Sequence, residues 1–366
     1  MMEYVQERVT TLHDYGDADP VAPTERAAVV VPMTEREYAG LAPERTLSAL
    51  ERVDPGKVVV PLSASPEHVG DFADWLASFD LDADLLWCNS EEVDAVLADH
   101  DLGGAAGKGR DVWLALGHAA EVADFVVCHD ADAKTYTDRH VPKLLSPLAG
   151  EYAFSKGYYA RVENDQLYGR LFRLFVRPLV RALDDATEHA FVDYLDAFRY
   201  ALAGEFAMTA DLAREIRAQR QFGLEIGTLA DAYAHAGFAR SAQVDLGRYE
   251  HDHRAVSGPT GLSDMSEQVG RALFNALADH DVPVAYDALR DAYRGAASAL
   301  VDQYAADAAF NDFAYDAHDE REQIEAYAPA VKTPDCDDRL PAWHDVSLHA
   351  ETVLDASHRA IERVRD

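Results

Sequence analysis

Four short runs of apolar, largely β-branched residues constrain the fold more than any other feature of the chain: Ala27–Pro32 (AAVVVP), Lys57–Leu62 (KVVVPL), Asp84–Asn89 (DLLWCN) and Asp124–His129 (DFVVCH). A strand that is apolar at successive positions, not at alternate ones, is covered on both faces, and that is the signature of a parallel sheet with helices on each side. Helical patterns fall between the runs, at Thr46–Val53, at Pro66–Phe79 and, after the glycine-rich break Gly103–Gly109 (GGAAGKG), around Val112–Val122. This is the rhythm of βαβ units. Right-handed crossovers would align the four strands and gather their C-terminal ends at one edge, where open α/β sheets bind ligands.

The rhythm changes near Gly150. Gly169–Ala186 is expected to be helical, with Leu171, Leu174, Phe175, Pro178, Leu179 and Ala182 on one stripe, and Gly204–Gly247 mixes helices with a strand at Arg240–Leu246. Beyond Gly261 only amphipathic helices are expected, with a loop at Lys332–Pro341, and residues 1–26 read as an irregular arm. The proline and glycines of Ser257–Gly261 (SGPTG) set a boundary. A domain at 1–257, with halves at about 27–135 and 150–257, is expected to precede a helical extension at 258–366, whose role is packing and support of a homodimer.

Charge narrows the function. Against 33 Lys and Arg stand 66 Asp and Glu, a net charge of -33, which opposes any broad phosphate-tracking surface, so no nucleic-acid partner is expected. Only 6 of the basic residues are lysines, while the 42 aspartates are spread through every segment. Such a chain suits a cytoplasm near molar salt, where a Debye length of roughly 3 Å screens self-repulsion. Cys88, Cys128 and Cys336 lie too far apart in sequence for a zinc knuckle or a disulfide framework, and no run nears the ~18 apolar residues of a membrane span, so a cytoplasmic protein is expected.

Five groups could carry chemistry. Asp130 and Asp132 follow the fourth run directly, and two carboxylates at a strand end can hold a hard divalent cation. Asp-x-Asp pairs recur by chance in so acidic a chain, Asp80/Asp82 and Asp279/Asp281 among them, and position alone sets this one apart. Gly107-Lys108-Gly109 opens a helix and lacks the spacing of a P-loop, yet a lysine beside a helix N-terminus is placed to meet phosphate. His251-Asp252-His253 follows the last strand, and either imidazole could complete a metal site or meet an anion, although a surface histidine is the plainer reading. Lys156, Arg161, Arg170, Arg173, Arg177 and Arg181 reverse the local charge; Arg170, beside Gly169, is the candidate phosphate clamp, and Arg173, Arg177 and Arg181 read as structural. Glu225, between apolar neighbours in Gly223–Gly227 (GLEIG), either grips sugar hydroxyls or caps a helix.

Taken in order, these elements resemble the glucosyl-3-phosphoglycerate synthase family, retaining glycosyltransferases of the GT-A type that include mannosyl-3-phosphoglycerate synthases. The resemblance covers roughly Ala27–Val269 and rests on the first strand into Pro32 and Glu35, the GKG at Gly107–Gly109, Asp130/Asp132, Lys156-Gly157-Tyr158, Gly169-Arg170, Val176–Leu179 (VRPL), Gly204–Ala207 (GEFA), Gly223–Gly227, and Gln243–Gly247 (QVDLG) leading to His251. It implies an α/β fold, a Rossmann-like nucleotide-sugar-binding domain with a helical C-terminal region. It implies a donor site with Pro32, Glu35, Lys108, Asp130 and Asp132, and a divalent metal, Mg2+ or Mn2+, held by Asp132 and His251. Glu225 would hold the donor sugar, and Gly169, Arg170 and His253 would bind a small phosphorylated acceptor, 3-phosphoglycerate foremost. The implied activity is transfer of a hexose from a nucleoside-diphosphate sugar, UDP-glucose or GDP-mannose in type, in compatible-solute synthesis. Asp132, Glu225 and His251 would carry the chemistry, chiefly by stabilising the leaving diphosphate. Members of the family place a small residue and a threonine where Leu171 and Phe172 stand, and an arginine and an asparagine where Tyr249 and His253 stand. Two rival classes share parts of this set: a nucleotidyltransferase that makes a sugar nucleotide, and a helical assembly protein without catalysis.

Overall fold

The computed structural model describes residues 6–252 and 259–365. All four apolar runs are strands of one nine-stranded sheet. In chain order the strands are β1 (Thr10–Leu12), β2 (Ala27–Val30), β3 (Met33–Thr34), β4 (Lys57–Ser63), β5 (Ala83–Trp87), β6 (Phe125–Cys128), β7 (Phe154–Ala160), a small hairpin of β8 (Val162–Glu163) and β9 (Gln166–Leu167), then β10 (Phe206–Thr209) and β11 (Ser241–Arg248). The main sheet runs β1-β11-β7-β10-β6-β2-β4, with β3 and β5 both on β4. Every pairing in it is parallel except those of β10, which is antiparallel to both β6 and β7.

The burial of β2 shows why its sequence is apolar at every position. Ala28 and Val30 face a core that contains Val112, Trp113 and Leu116 of α4 (Lys108–Val122), while Ala27, Val29 and Val31 face a second core with Leu47 and Leu50 of α1 (Leu41–Val53) and Phe72 of α2 (Pro66–Leu76). Period-two alternation divides one strand between two helical layers.

The remaining helices are α3 (Glu91–Asp99), α5 (His140–Leu145), α6 (Arg177–Ala186) entered through a π-helical turn at Leu171–Val176, α7 (Ala190–Ala197), α8 (Ala210–Glu215), α9 (Leu224–His235), α10 (Pro259–Asp279), α11 (Tyr286–Phe310), α12 (Ala317–Tyr327) and α13 (Ala350–Arg365). Most buried apolar residues described in the helical extension join the two cores of the sheet. Trp343 stacks on Trp113 of α4 with ring centroids 4.2 Å apart, over Gly117, where a Cβ would lie 2.2 Å from the indole. Ser357 of α13 accepts from the Trp87 amide at the end of β5, at 2.7 Å. Among the described residues no helix is long and apolar enough to cross a membrane.

Three elements depart from the sequence reading. The N-terminal arm contains β1, which pairs in parallel with β11 through Thr10 and Ala242. Strand β7 lies inside the sheet, between β11 and β10, although Ser155, Lys156 and Gly157 interrupt its apolar pattern; all three are buried there, two of them as polar residues. Helix α4 begins at Lys108, ahead of its apolar stripe, since its first turn packs through backbone: Arg110 N donates to Arg220 O at 2.9 Å. A Cβ on Gly109 would sit 1.8 Å from Gln219 O, so the glycine of the GKG is a packing requirement.

Candidate active site

The strand ends converge as the parallel topology requires. Pro32 follows β2, Ser63 closes β4, Asp130 and Asp132 follow β6, and His251 follows β11. Because β10 runs the other way, the turn that enters it, residues 200–205, reaches the same edge. His251 is 119 positions from Asp132, yet the segments zip together: Lys134 N donates to Glu250 O at 2.7 Å, Asp252 N donates to Asp132 O at 2.6 Å, and Ala133 forms an antiparallel bridge with His251. Ligand-type atoms of Asp130, Asp132 and His251 all lie within 4.8 Å of one another, the group suited to a metal ion among the described residues.

Two cavities meet at this cluster. One, of about 340 Å³, is lined by Pro32, Met33, Thr34, Pro61, Ser63 and Glu37 on one side and by Gly107, Lys108, Asp111, Asp130 and Asp132 on the other. The second, of about 540 Å³, shares Lys108, Asp130 and Asp132 and continues past Glu225 and His251 to Arg161, Gly169, Arg170, Phe172 and Tyr200. Met265 and Val269 of α10 also line it, so the helical extension forms part of this wall.

Electrostatics set the two aspartates apart. Lys108 Nζ lies 2.6 Å from Asp130 Oδ1 and 3.9 Å from Glu225 Oε1. Burial opposes ionisation of Asp130, but the charge and hydrogen bond of Lys108 outweigh it and hold the carboxyl below its ordinary range. Burial also works against the Lys108 charge, and Asp130 and Glu225 together reverse it, so the ammonium is held more firmly than usual. For Asp132, burial and then the neighbouring Asp130 charge outweigh the pull of Lys108 and push its carboxyl up to about 7. Its Oδ1 is buried and accepts no hydrogen bond. An unmet acceptor beside a second carboxylate and an imidazole is the donor set of a divalent cation.

Glu225 sits in the first turn of α9, behind Gly223, whose φ of 102° is in the left-handed region. Gly169 has a φ of 76°, and its turn presents Arg170 to the second cavity. The Arg170 guanidinium pairs with Asp319 of α12, while Arg173 is buried in a bidentate pair with Glu320, as a structural residue should be. Glu35 does not line the first cavity; its carboxylate accepts from the Ser65 amide at 2.8 Å and hydroxyl at 2.6 Å, at the start of α2. His253 lies outside the described residues. Tyr249 is wholly buried, away from both cavities, and donates to Glu205 Oε1 at 2.8 Å.

Sequence reasoning quoted Glu205 only within the GEFA motif and gave it no role, passed over Tyr200 and gave Arg161 no role of its own. Glu205 is buried beneath the cluster, and Gly204 before it is required: a Cβ there would lie 2.9 Å from Asp130 Oδ2. The Gly-Glu pair at the start of a short strand was the available signal.

No protein-family model matches the chain. It is 31% identical over 375 aligned positions to the glucosyl-3-phosphoglycerate synthase of Methanococcoides burtonii, covering 93% of each chain. It is 32% identical to that of Persephonella marina, covering 91% of this chain and 89% of the relative. The fold is similar to the crystal structure of glucosyl-3-phosphoglycerate synthase from Mycobacterium tuberculosis in complex with Mn2+, uridine diphosphate and glucosyl-3-phosphoglycerate, with a TM-score of 0.55, 22% identity, and 75% and 89% of the two chains covered.

Proposed function

The chain belongs to the glucosyl-3-phosphoglycerate synthase family, and from that premise we propose that it transfers glucose from UDP-glucose to 3-phosphoglycerate, with a divalent metal, Mg2+ or Mn2+, at the diphosphate and with retention at the anomeric carbon. The observation that carries the reading is the convergence of Asp130, Asp132, His251 and Lys108 at the junction of two cavities. The local electrostatics agree. Burial and then the Asp130 charge raise the carboxyls of Asp132 and Glu205, and a divalent cation would offset both. Asp132 and His251 would hold it, with the unmet Asp132 Oδ1 supplying a ligand.

The bound cation supplies Lewis-acid neutralisation of the leaving diphosphate. The chain does the rest. Pro32 closes the nucleotide side of the smaller cavity, and Glu35, flanked by residues that line it, braces that wall through Ser65. Lys108, kept charged by Asp130, meets negative charge as it develops on the departing oxygen. Glu225 reaches the junction where the sugar must lie and accepts from its hydroxyls. In the larger cavity Gly169 and Arg170 take the acceptor phosphate, with Arg161 a second cation for the carboxylate; His253, outside the described residues, is assigned to the acceptor by the family resemblance alone. The acceptor hydroxyl then attacks from the leaving-group face. Mn2+ paramagnetic resonance tests the metal assignment: wild type should remove Mn2+ from the free-ion signal in the presence of UDP, and Asp132→Ala and His251→Ala should not. Equal uptake by all three overturns it.

We also propose a salt-rich, reducing cytoplasm, supported by the 42 dispersed aspartates and three free cysteines. The division at 257 is retained as a transfer unit followed by a helical extension. A homodimer is proposed through that extension, where Phe310 at the tip of α11 is 87% exposed. Light scattering of the full chain in molar KCl tests it, and a monomer mass rejects it.

A further inference from the structure

Lys156 is one of only 6 lysines, and it is fully buried in the middle of β7. A buried ammonium is costly unless something requires it. Its Nζ donates to Ala203 O at 2.8 Å and lies 5.9 Å from the centre of the Phe206 ring. The charged groups around it come from separate elements: Glu205 ahead of β10, Glu225 on α9, Lys108 on α4 and, as a thiol, Cys128 on β6. Lys156 lines neither cavity, so it cannot touch either substrate.

What it does touch is the turn that enters β10. Gly157 N donates to Glu205 O at 2.8 Å and Lys156 Nζ holds Ala203 O, so two successive residues of β7 grip the carbonyls of the two residues that flank Gly204. Gly204 is the residue against which the Asp130 carboxylate rests. A shift of that turn would move the seat of Asp130, and with it the partner of Lys108.

We propose that Lys156 is a positioning residue for transfer: it fixes the 203–205 turn under Asp130 and places a positive charge behind the junction where the leaving diphosphate becomes negative. The proposal rests on the reading of that junction as the transfer site. Both roles act on the transition state more than on bound ground states, because displacement of a seat by even 1 Å can cost on the order of 100-fold in rate and a preorganised charge favours the state with more negative charge. Burial works against the ammonium, lowering its pKa to about 8. The folded state therefore binds the proton less readily than the unfolded chain, so the cost to stability builds as pH falls from the ordinary lysine value of 10.5 and is complete below about 8.

The test pairs turnover with stability in Lys156→Met, which keeps the stem and removes the charge. The expected result is a kcat lower by at least roughly tenfold, KM values for UDP-glucose and 3-phosphoglycerate within about twofold of wild type, and a thermal midpoint at pH 7 equal to wild type or higher. A folded variant with kcat within about twofold of wild type overturns the proposal, as does a kcat loss matched by a lowered midpoint and a smaller folded fraction, since that is the mark of a purely structural lysine. If Lys156→Met does not fold, Lys156→Gln, which retains a donor for Ala203, is read by the same criteria. Asp132→Ala separates the two levels: if it is inactive while Lys156→Met turns over normally, only the role of Lys156 fails, and if Asp132→Ala is itself active, the reading of the junction fails.

Discussion

The two cavities that meet at Lys108 are built in different ways. The smaller is a product of strand ends: Pro32, Pro61 and Ser63 lie at the C-terminal limits of β2 and β4, and Asp130 follows β6 by two residues. Its shape follows from a parallel sheet and the start of α4, the helix that packs against β2 and β4. The larger is assembled from β7, the turn before β10, the Gly169 turn, the start of α9, the segment after β11 and two side chains of α10. Only β7, β10 and β11 among these are neighbours in the sheet, and the Gly169 turn, α9 and α10 come from outside it. A site made from one repeated unit is fixed by the fold, whereas one gathered from several separate elements is free to change its ligand while the fold stays.

That contrast can be broken or sharpened by substitution. The largest effect belongs to the shared cluster: Asp132→Ala should lower turnover by roughly 10³-fold with the fold retained, read by initial rate and circular dichroism. Arg170→Ala should separate the cavities, raising the acceptor KM by roughly 30-fold, about 2 kcal/mol, while donor hydrolysis without acceptor stays near wild type in a coupled UDP-release assay; a parallel loss of donor hydrolysis would show that the two cavities are not independent. Met265→Ala should raise the acceptor KM by about threefold through lost contact area, and no change would remove α10 from the acceptor wall. Asp319→Asn has the smallest expected effect and the opposite sign. It releases Arg170 from an exposed pair and should lower the acceptor KM by about two- to fivefold in low salt, a gain that fades in molar KCl as screening weakens the pair in wild type.

The legibility of the sequence divides along the same line. Continuous apolar runs gave β2, β4, β5 and β6, because strands covered on both faces leave no polar position to confuse the pattern. Asp130 and Asp132 were found by their position after such a run. Strand β7 escaped notice because the buried Ser155 and Lys156 look like surface residues in a linear reading, and β1 because three residues, Thr10–Leu12, are too few to show a period. Tyr249 reads as an acceptor-side departure, yet it is a core residue hydrogen-bonded to Glu205, and the tertiary partner is what sequence spacing cannot supply. Arg170 was identified beside Gly169, but its pairing with Asp319 spans 149 positions and appears only once α12 packs against the π-helical turn.

Transfer at the junction of the two cavities is tested most directly by the product itself. UDP-glucose and 3-phosphoglycerate, incubated with the protein in molar KCl with Mg2+ or Mn2+ and again with excess chelator, should yield glucosyl-3-phosphoglycerate by mass spectrometry only where metal and acceptor are both present. A glucoside formed equally well in chelator, or UDP released at a rate indifferent to 3-phosphoglycerate with no glucoside formed, would contradict the account.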